Sequence, residues 1–188
     1  MCMMCDGFSA EDVVALEGAR IAEYGFTMVG VTAREPGDVG YEWTYTLGLL
    51  DAVGHPELVL AGPETESAAR LLGAIARDVL AGERFAPGDQ LGVPPHAVRF
   101  GAVDPIQYAL GTFASWYQNR EAGHLSAPQL EAVQVFAPDD WFCACHQGRQ
   151  PDLSDPKVRL DATGTGPMAN RAERRARARR ARRRTHPR

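Results

Sequence analysis

Apolar and polar residues alternate along the chain with two distinct periods, which predict both helices and strands. Between Glu64 and Leu80, apolar side chains recur every three to four residues, as on one face of an amphipathic helix. Between residues 41 and 49, large apolar side chains alternate with smaller or polar ones. A period of two predicts a strand with one apolar and aromatic face.

Weaker patterns predict the remaining elements. Ser9-Ala10-Glu11-Asp12 is typical of a capping box, and Gly25 stands where a helix C-terminal cap belongs, so we expect a helix between them. Strands and helices mix without a regular strand–helix–strand alternation, which favours an α+β fold with a mixed or antiparallel sheet and two to three packed helices. The other predicted strands cover residues 26–33, 57–61, 97–103 and 130–137, with a further helix over 108–121 and a loop over 83–96.

Charge is distributed very unevenly over the 188 residues, whose net charge is −4. Residues 1–167 carry 23 acidic and 10 basic side chains, a net charge of −13, whereas residues 168–188 carry ten arginines and one glutamate, a net charge of +9. Beyond residue 150 the composition turns polar and rich in proline and glycine. We therefore predict a single domain over residues 1–150, a linker over 151–167 and a disordered basic tail over 168–188.

The hydrophobic segments are too short for a membrane protein. No stretch approaches the roughly 20 apolar residues that a membrane-spanning helix needs. The first residues lack the basic region and the apolar run of a signal peptide. We expect a cytoplasmic protein.

The arginine-rich tail (residues 168–188) is a candidate for binding RNA or DNA. Arginines that neutralise backbone phosphates release counterions, and a tail with no aromatic side chain cannot stack on bases, so binding should not depend on sequence. The alternatives are a solvated tail or one that folds back onto the acidic domain. The arginines concerned are Arg171, Arg174, Arg175, Arg177, Arg179, Arg180, Arg182, Arg183 and Arg184.

The four cysteines lie in two groups that are candidates for one zinc site. Cys2 and Cys5 form a C-x-x-C motif, and Cys143, Cys145 and His146 follow much later in the chain. Zinc takes four thiolate or imidazole ligands in a tetrahedron, so one ion would tie the two groups together. The alternative is a frayed terminus and a small core cysteine. A disulfide is disfavoured in the reducing cytosol.

The aromatic strand raises the question of a ligand pocket. Such a stripe more often packs in the core than lines a pocket, and His55, in a predicted turn, is expected to be solvated. In an enzyme with its pocket beside this strand, Glu42, His55 and Glu57 would be the nearby acid–base groups. The candidate pocket residues are Tyr41, Trp43, Tyr45, His55 and Glu57.

Two neighbouring runs carry a family resemblance, namely Trp43-Thr44-Tyr45-Thr46-Leu47-Gly48-Leu49 and His55-Pro56-Glu57-Leu58-Val59-Leu60-Ala61-Gly62. Together they resemble a bacterial family described as domain of unknown function 4262. The resemblance spans roughly residues 2–152 and includes three shorter runs, Cys2-Met3-Met4-Cys5-Asp6, Ala86-Pro87-Gly88-Asp89 and Leu130-Glu131-Ala132-Val133-Gln134-Val135.

The resemblance implies a shared fold but no catalytic residues, because the family has no established activity. Where members end in a glycine- and arginine-rich segment, this chain has Cys143-Ala144-Cys145-His146. The order of its strands and its aliphatic helix is also similar to the Suppressor-of-fused-like domain, which implies a partner-binding module. We therefore predict a cytoplasmic binding or regulatory module for nucleic acid or a protein partner, with a candidate zinc site. The alternative is a small enzyme.

Overall fold

The computed structural model describes residues 9–31, 42–105, 107, 131–138, 141 and 150–158. Over these residues the chain forms three helices and six strands. The helices are α1 (Ala10–Tyr24), α2 (Leu49–Val53) and α3 (Thr65–Leu80). The strands are β1 (Thr27–Val31), β2 (Trp43–Leu47), β3 (Glu57–Ala61), β4 (Gln90–Leu91), β5 (Val98–Ala102) and β6 (Ala132–Phe136).

The six strands form one mixed sheet in the order β1-β2-β3-β6-β5-β4. All neighbouring strands are antiparallel except β3 and β6, which run parallel. Near the middle of β2, Tyr45 lies opposite Val29 on one side and Val59 on the other. A mixed sheet combined with three helices confirms the predicted α+β class.

Helix α1 begins and ends where its local sequence predicts. The Ser9 side chain accepts a hydrogen bond from the Asp12 amide, and the Asp12 carboxylate accepts one from the Ser9 amide, which completes the capping box. At the other end, Gly25 adopts φ 81°, and its amide donates to the Ile21 carbonyl. A glycine adopts this left-handed conformation without the steric cost that other residues meet.

The sheet is covered on both faces. Helix α3 packs its apolar side, including Leu72 and Ile75, into one cluster with Leu58, Leu60 and Val135 of the sheet. On the other face, a second cluster combines side chains of β2 and β3 with side chains of α1 and with Leu153. The members from β2 and α1 are Trp43, Tyr45, Leu47, Val14 and Ile21.

Strand β2 is shorter and more deeply buried than its alternating pattern predicts. It ends at Leu47, and the chain turns at Gly48, with φ 111°, directly into α2. Thr44 and Thr46, on the polar side of the alternation, are buried as well, because the sheet face that they share is covered by α3. The predicted strand at residues 41–49 is therefore correct only in its centre, and Tyr41 lies outside the described residues.

The start of the predicted linker belongs to the folded domain. Residues 150–158, which we call the C-terminal strap, run across the sheet, with Pro151 and Leu153 buried. The Asp104 amide donates to the Leu153 carbonyl at 2.8 Å. The Gln107 side-chain amide donates to the Val158 carbonyl at 2.7 Å. The folded region therefore extends at least to residue 158.

Two further differences concern single elements. The predicted loop over residues 83–96 contains the two-residue strand β4 at the sheet edge. The predicted helix over residues 108–121 and the basic tail lie outside the described residues. No helix in the described part of the chain is both long enough and apolar enough to cross a membrane.

Candidate functional site

The candidate residues that the structure describes lie along β2 and at the start of β3. The candidate zinc ligands Cys2, Cys5, Cys143, Cys145 and His146 lie outside the described residues. Within the described ranges, which contain none of the four cysteines, no group of three or more His, Cys, Asp or Glu side chains is placed to hold a metal ion.

Trp43 and Tyr45 form a stacked pair inside the second cluster. Their ring centroids are 4.9 Å apart and the ring planes differ by 20°. Both side chains are buried beside Leu47 and Val59. This burial favours core packing over the lining of an open pocket.

Glu57 is fully buried, and its carboxylate binds the first turn of α2. Oε1 accepts hydrogen bonds from the amides of Gly48 at 2.8 Å and Leu50 at 3.2 Å. The first amides of a helix are satisfied from outside the helix, and a carboxylate also interacts favourably with the positive end of the helix dipole. The strand β3 therefore supplies the cap that Gly48, which has no side chain, cannot provide.

Thr46 connects this carboxylate to the sheet. Its hydroxyl donates to Oε2 of Glu57 at 2.6 Å and accepts from the amide of Leu58 at 2.8 Å. One hydroxyl thus serves as donor and acceptor in a site where neither group could bond to water. The buried network joins β2, β3 and α2 at one point.

His55 is buried, with 1% of its surface exposed, whereas a turn histidine was expected to be solvated. Its Nδ1 lies 2.6 Å from the Pro56 carbonyl, and the amide of Phe85 donates to its Nε2 at 3.1 Å. Since Nε2 accepts, the ring proton resides on Nδ1 and the imidazole is neutral. The sequence failed to reveal this because Phe85 is 30 residues away.

The pKa of His55 lies below its ordinary value, mainly because burial disfavours the charged imidazolium. The positive charge of Arg84 lowers this pKa further. The Arg84 guanidinium donates through Nη2 to the carbonyl of Val53, the last residue of α2, at 2.8 Å. A cation at this end of a helix interacts favourably with the exposed carbonyls.

Glu42 caps the N-terminus of α3. Its Oε2 accepts from the amide of Thr65 at 3.2 Å and from the Thr65 hydroxyl at 3.4 Å. Glu64, the residue at the N-cap position, makes no capping hydrogen bond through its side chain. Glu42, the residue just before β2, therefore supplies the capping carboxylate in place of Glu64.

The three acid–base candidates do not form one constellation. Glu57 holds the start of α2, His55 joins the chain after α2 to Phe85, and Glu42 holds the start of α3. General acid–base catalysis requires such groups to converge on one reacting atom. Each of these side chains instead makes hydrogen bonds to a different backbone segment.

Two glutamines, one fully buried and one partly buried, attach the C-terminal strap, and sequence reasoning missed both. Gln134 is fully buried in β6. Its side-chain Nε2 donates to the Pro151 carbonyl at 2.6 Å, and its side-chain Oε1 accepts from the Leu153 amide at 2.8 Å. The Gln150 side chain bonds both the amide and the carbonyl of Ala137. The only signal was a lone glutamine within the apolar run at residues 130–137.

The comparisons with known proteins concern the same part of the chain. A family model described as Domain of unknown function (DUF4262) matches residues 20–141, which include β2, α2, β3, α3 and β6. No curated protein and no solved structure matches the chain. Because the matched range covers more than half of the sequence, the chain belongs to the DUF4262 family.

Proposed function

We propose that this protein is a non-catalytic binding module of the cytoplasm that docks onto nucleic acid through its arginine-rich tail. The observation that carries the proposal is the separation of charge, with −13 over residues 1–167 and +9 over residues 168–188. Each phosphate that an arginine neutralises releases a counterion, so the tail favours polyanions of any sequence. The acidic domain would itself be repelled by the phosphates, which leaves the tail as the contact.

The hydrogen bonds of Glu42, His55 and Glu57 support a binding role over the enzyme alternative. All three are engaged with backbone groups of the fold, and two of them are almost completely buried. Proton transfer needs a group that reaches the substrate. A binding module makes no such demand on its buried side chains.

The experiment compares the binding of the full chain to a short DNA duplex and to a single-stranded RNA across a salt series. One variant, R182Q/R183Q, removes two charges from the tail. The matched control, R70Q/R77Q, removes two charges from exposed positions on α3. Fluorescence anisotropy of the labelled nucleic acid gives the binding constant at each salt concentration.

We expect log K for the duplex to fall with log salt at a slope near −0.9 for each phosphate contact. The tail variant should make this slope shallower by about 0.9 for each substituted arginine that contacts a phosphate, whereas the α3 variant should leave it unchanged. Equal effects of the two variants would contradict docking through the tail. An absence of binding by the unmodified chain would instead favour a tail that is solvated or folded back onto the domain.

A further inference from the structure

His55 joins the end of α2 to the chain between α3 and β5. This α3–β5 connection (residues 81–97) is attached at its start through Phe85 and Arg84. The Phe85 ring stacks on Phe100 of β5, with centroids 4.5 Å apart, and meets the imidazole of His55 edge-on at 6.4 Å. The start of the connection is therefore joined to the last residue of α2 by the Arg84–Val53 hydrogen bond, to His55 by the Phe85 amide, and to β5 by the stacked rings.

Only the neutral imidazole fits this attachment. Nδ1 already donates to the Pro56 carbonyl, so a second proton would have to sit on Nε2, where it would face the N–H of Phe85. Two donors cannot share a hydrogen bond, and the imidazole is too deeply buried for water to replace it. Protonation therefore removes the hydrogen bond to Phe85 and leaves a buried positive charge.

The charged groups around His55 do not offset that charge. Arg84, on the connection itself, is a cation and adds repulsion. Glu57, two residues along β3, directs its carboxylate towards Thr46 and the amides of α2. Asp51 of α2 is exposed to solvent, where the high dielectric constant of water weakens its attraction to a buried cation. Burial and Arg84 both hold the pKa of His55 below its ordinary value.

We infer that His55 is a proton-operated latch, which holds the start of the α3–β5 connection, at Phe85, when the imidazole is neutral and releases it when the imidazole is protonated. Release would free the start of the connection around Phe85 and would uncover the Phe85 ring, whereas β4 stays paired with β5. Mild acid would therefore increase the exposed apolar surface around Phe85. This inference does not depend on the arginine-rich tail.

The direction of the pH dependence follows from proton linkage. A released connection leaves His55 with the ordinary imidazole pKa of about 6.5, above its pKa in the closed state. The open state therefore binds more protons over the interval between the two values. The opening constant should rise by about tenfold for each pH unit below about 6.5 and level off once the closed-state pKa is passed.

The experiment measures amide hydrogen exchange by NMR on the full chain as the pH is lowered, with rates expressed as protection relative to the unfolded peptide. We expect the protection of the Phe85 amide to fall by about tenfold for each pH unit below about 6.5. The amide of Tyr45, a residue paired on both sides in the sheet, should keep its protection. His55→Gln, whose amide does not titrate, should abolish the pH dependence. His96→Gln, an exposed histidine on the same connection, should leave it intact.

Three results would overturn the latch: a Phe85 protection that does not change with pH, an equal change in His55→Gln, and a parallel loss at Tyr45. The last would mean global unfolding instead of local release. If His55→Gln fails to fold, the imidazole nitrogens of the unmodified chain decide the question. Their chemical shifts should report a proton on Nδ1 at neutral pH and a titration that coincides with the loss of Phe85 protection.

Discussion

Glu57 illustrates how a single charged side chain can be accommodated in the core. Burying a carboxylate is costly unless hydrogen bonds satisfy its oxygens. Here one oxygen accepts from the Thr46 hydroxyl, and the other accepts from two amides of the first turn of α2. Removing the side chain would therefore leave the Gly48 and Leu50 amides without this acceptor.

We predict that Glu57→Ala lowers the free energy of unfolding by about 3 kcal/mol, because buried donors lose their acceptor and a cavity forms. Glu57→Gln should cost less, about 1–2 kcal/mol, since its carbonyl oxygen can still accept from the amides of Gly48 and Leu50. Urea unfolding followed by circular dichroism measures both. Glu66→Ala, at an exposed position of α3, is the control and should change stability by less than about 0.5 kcal/mol. A cost for Glu57→Ala no larger than that of the control would refute this role.

The contact between α3 and β1 depends on the absence of a side chain at Gly30. A Cβ at this position would overlap Cγ2 of Thr65, closer than two carbon atoms can approach. Thr65 is held in place by Glu42, which binds both its amide and its hydroxyl. Two elements that are distant in sequence therefore determine which residue β1 can accommodate.

Replacing glycine by alanine inside a strand ordinarily stabilises a protein by about 0.5–1 kcal/mol. We predict the opposite sign for Gly30→Ala, a loss of about 1–3 kcal/mol, because the new methyl group overpacks the contact. Thr65→Ser removes Cγ2 and keeps the hydroxyl for Glu42. A double-mutant cycle measured by thermal or urea unfolding should show Thr65→Ser recovering most of the loss. Additive effects of the two substitutions would contradict a direct clash.

At the scale of the whole molecule, contacts between segments that are far apart in sequence hold residues 150–158 against the sheet. The C-terminal strap is attached by the hydrogen bond between the Leu153 amide and the Gln134 side chain, and by the Leu153 side chain, which packs in the second cluster. The segment between β6 and the strap contains Cys143 and Cys145. We propose that a zinc ion joins this segment to Cys2 and Cys5.

Elemental analysis of the protein purified without a histidine tag tests this proposal. We expect about one zinc ion per chain, and its loss in both Cys5→Ser and Cys143→Ser, because a tetrahedral site needs all four ligands. His96→Gln, which alters a histidine outside the candidate set, should retain the metal. Unmodified protein without zinc, or retention of zinc by both serine variants, would refute a shared site.

Elements whose signals are local could be predicted from the sequence. The apolar period between Glu64 and Leu80 and the capping box at Ser9 depend on residues at most four positions apart, and α3 and α1 lie where these patterns indicate. Strands β3, β5 and β6 fall within their predicted ranges. The predicted strand at residues 41–49 extended too far, because the end of β2 and the start of α2 depend on Glu57, at least seven residues later.

The candidate functional residues likewise include some whose features are visible in the sequence and others whose roles depend on tertiary contacts. The separation of charge and the spacing of the cysteines are properties of the sequence itself, and they motivate the proposals on nucleic acid and zinc. The roles of His55, Glu57 and Gln134 are decided by the tertiary structure, since their partners are brought close only by the folding of the sheet. A polar residue costs free energy when buried alone and stabilises the fold when paired. Whether it is paired depends on distances that no linear pattern contains.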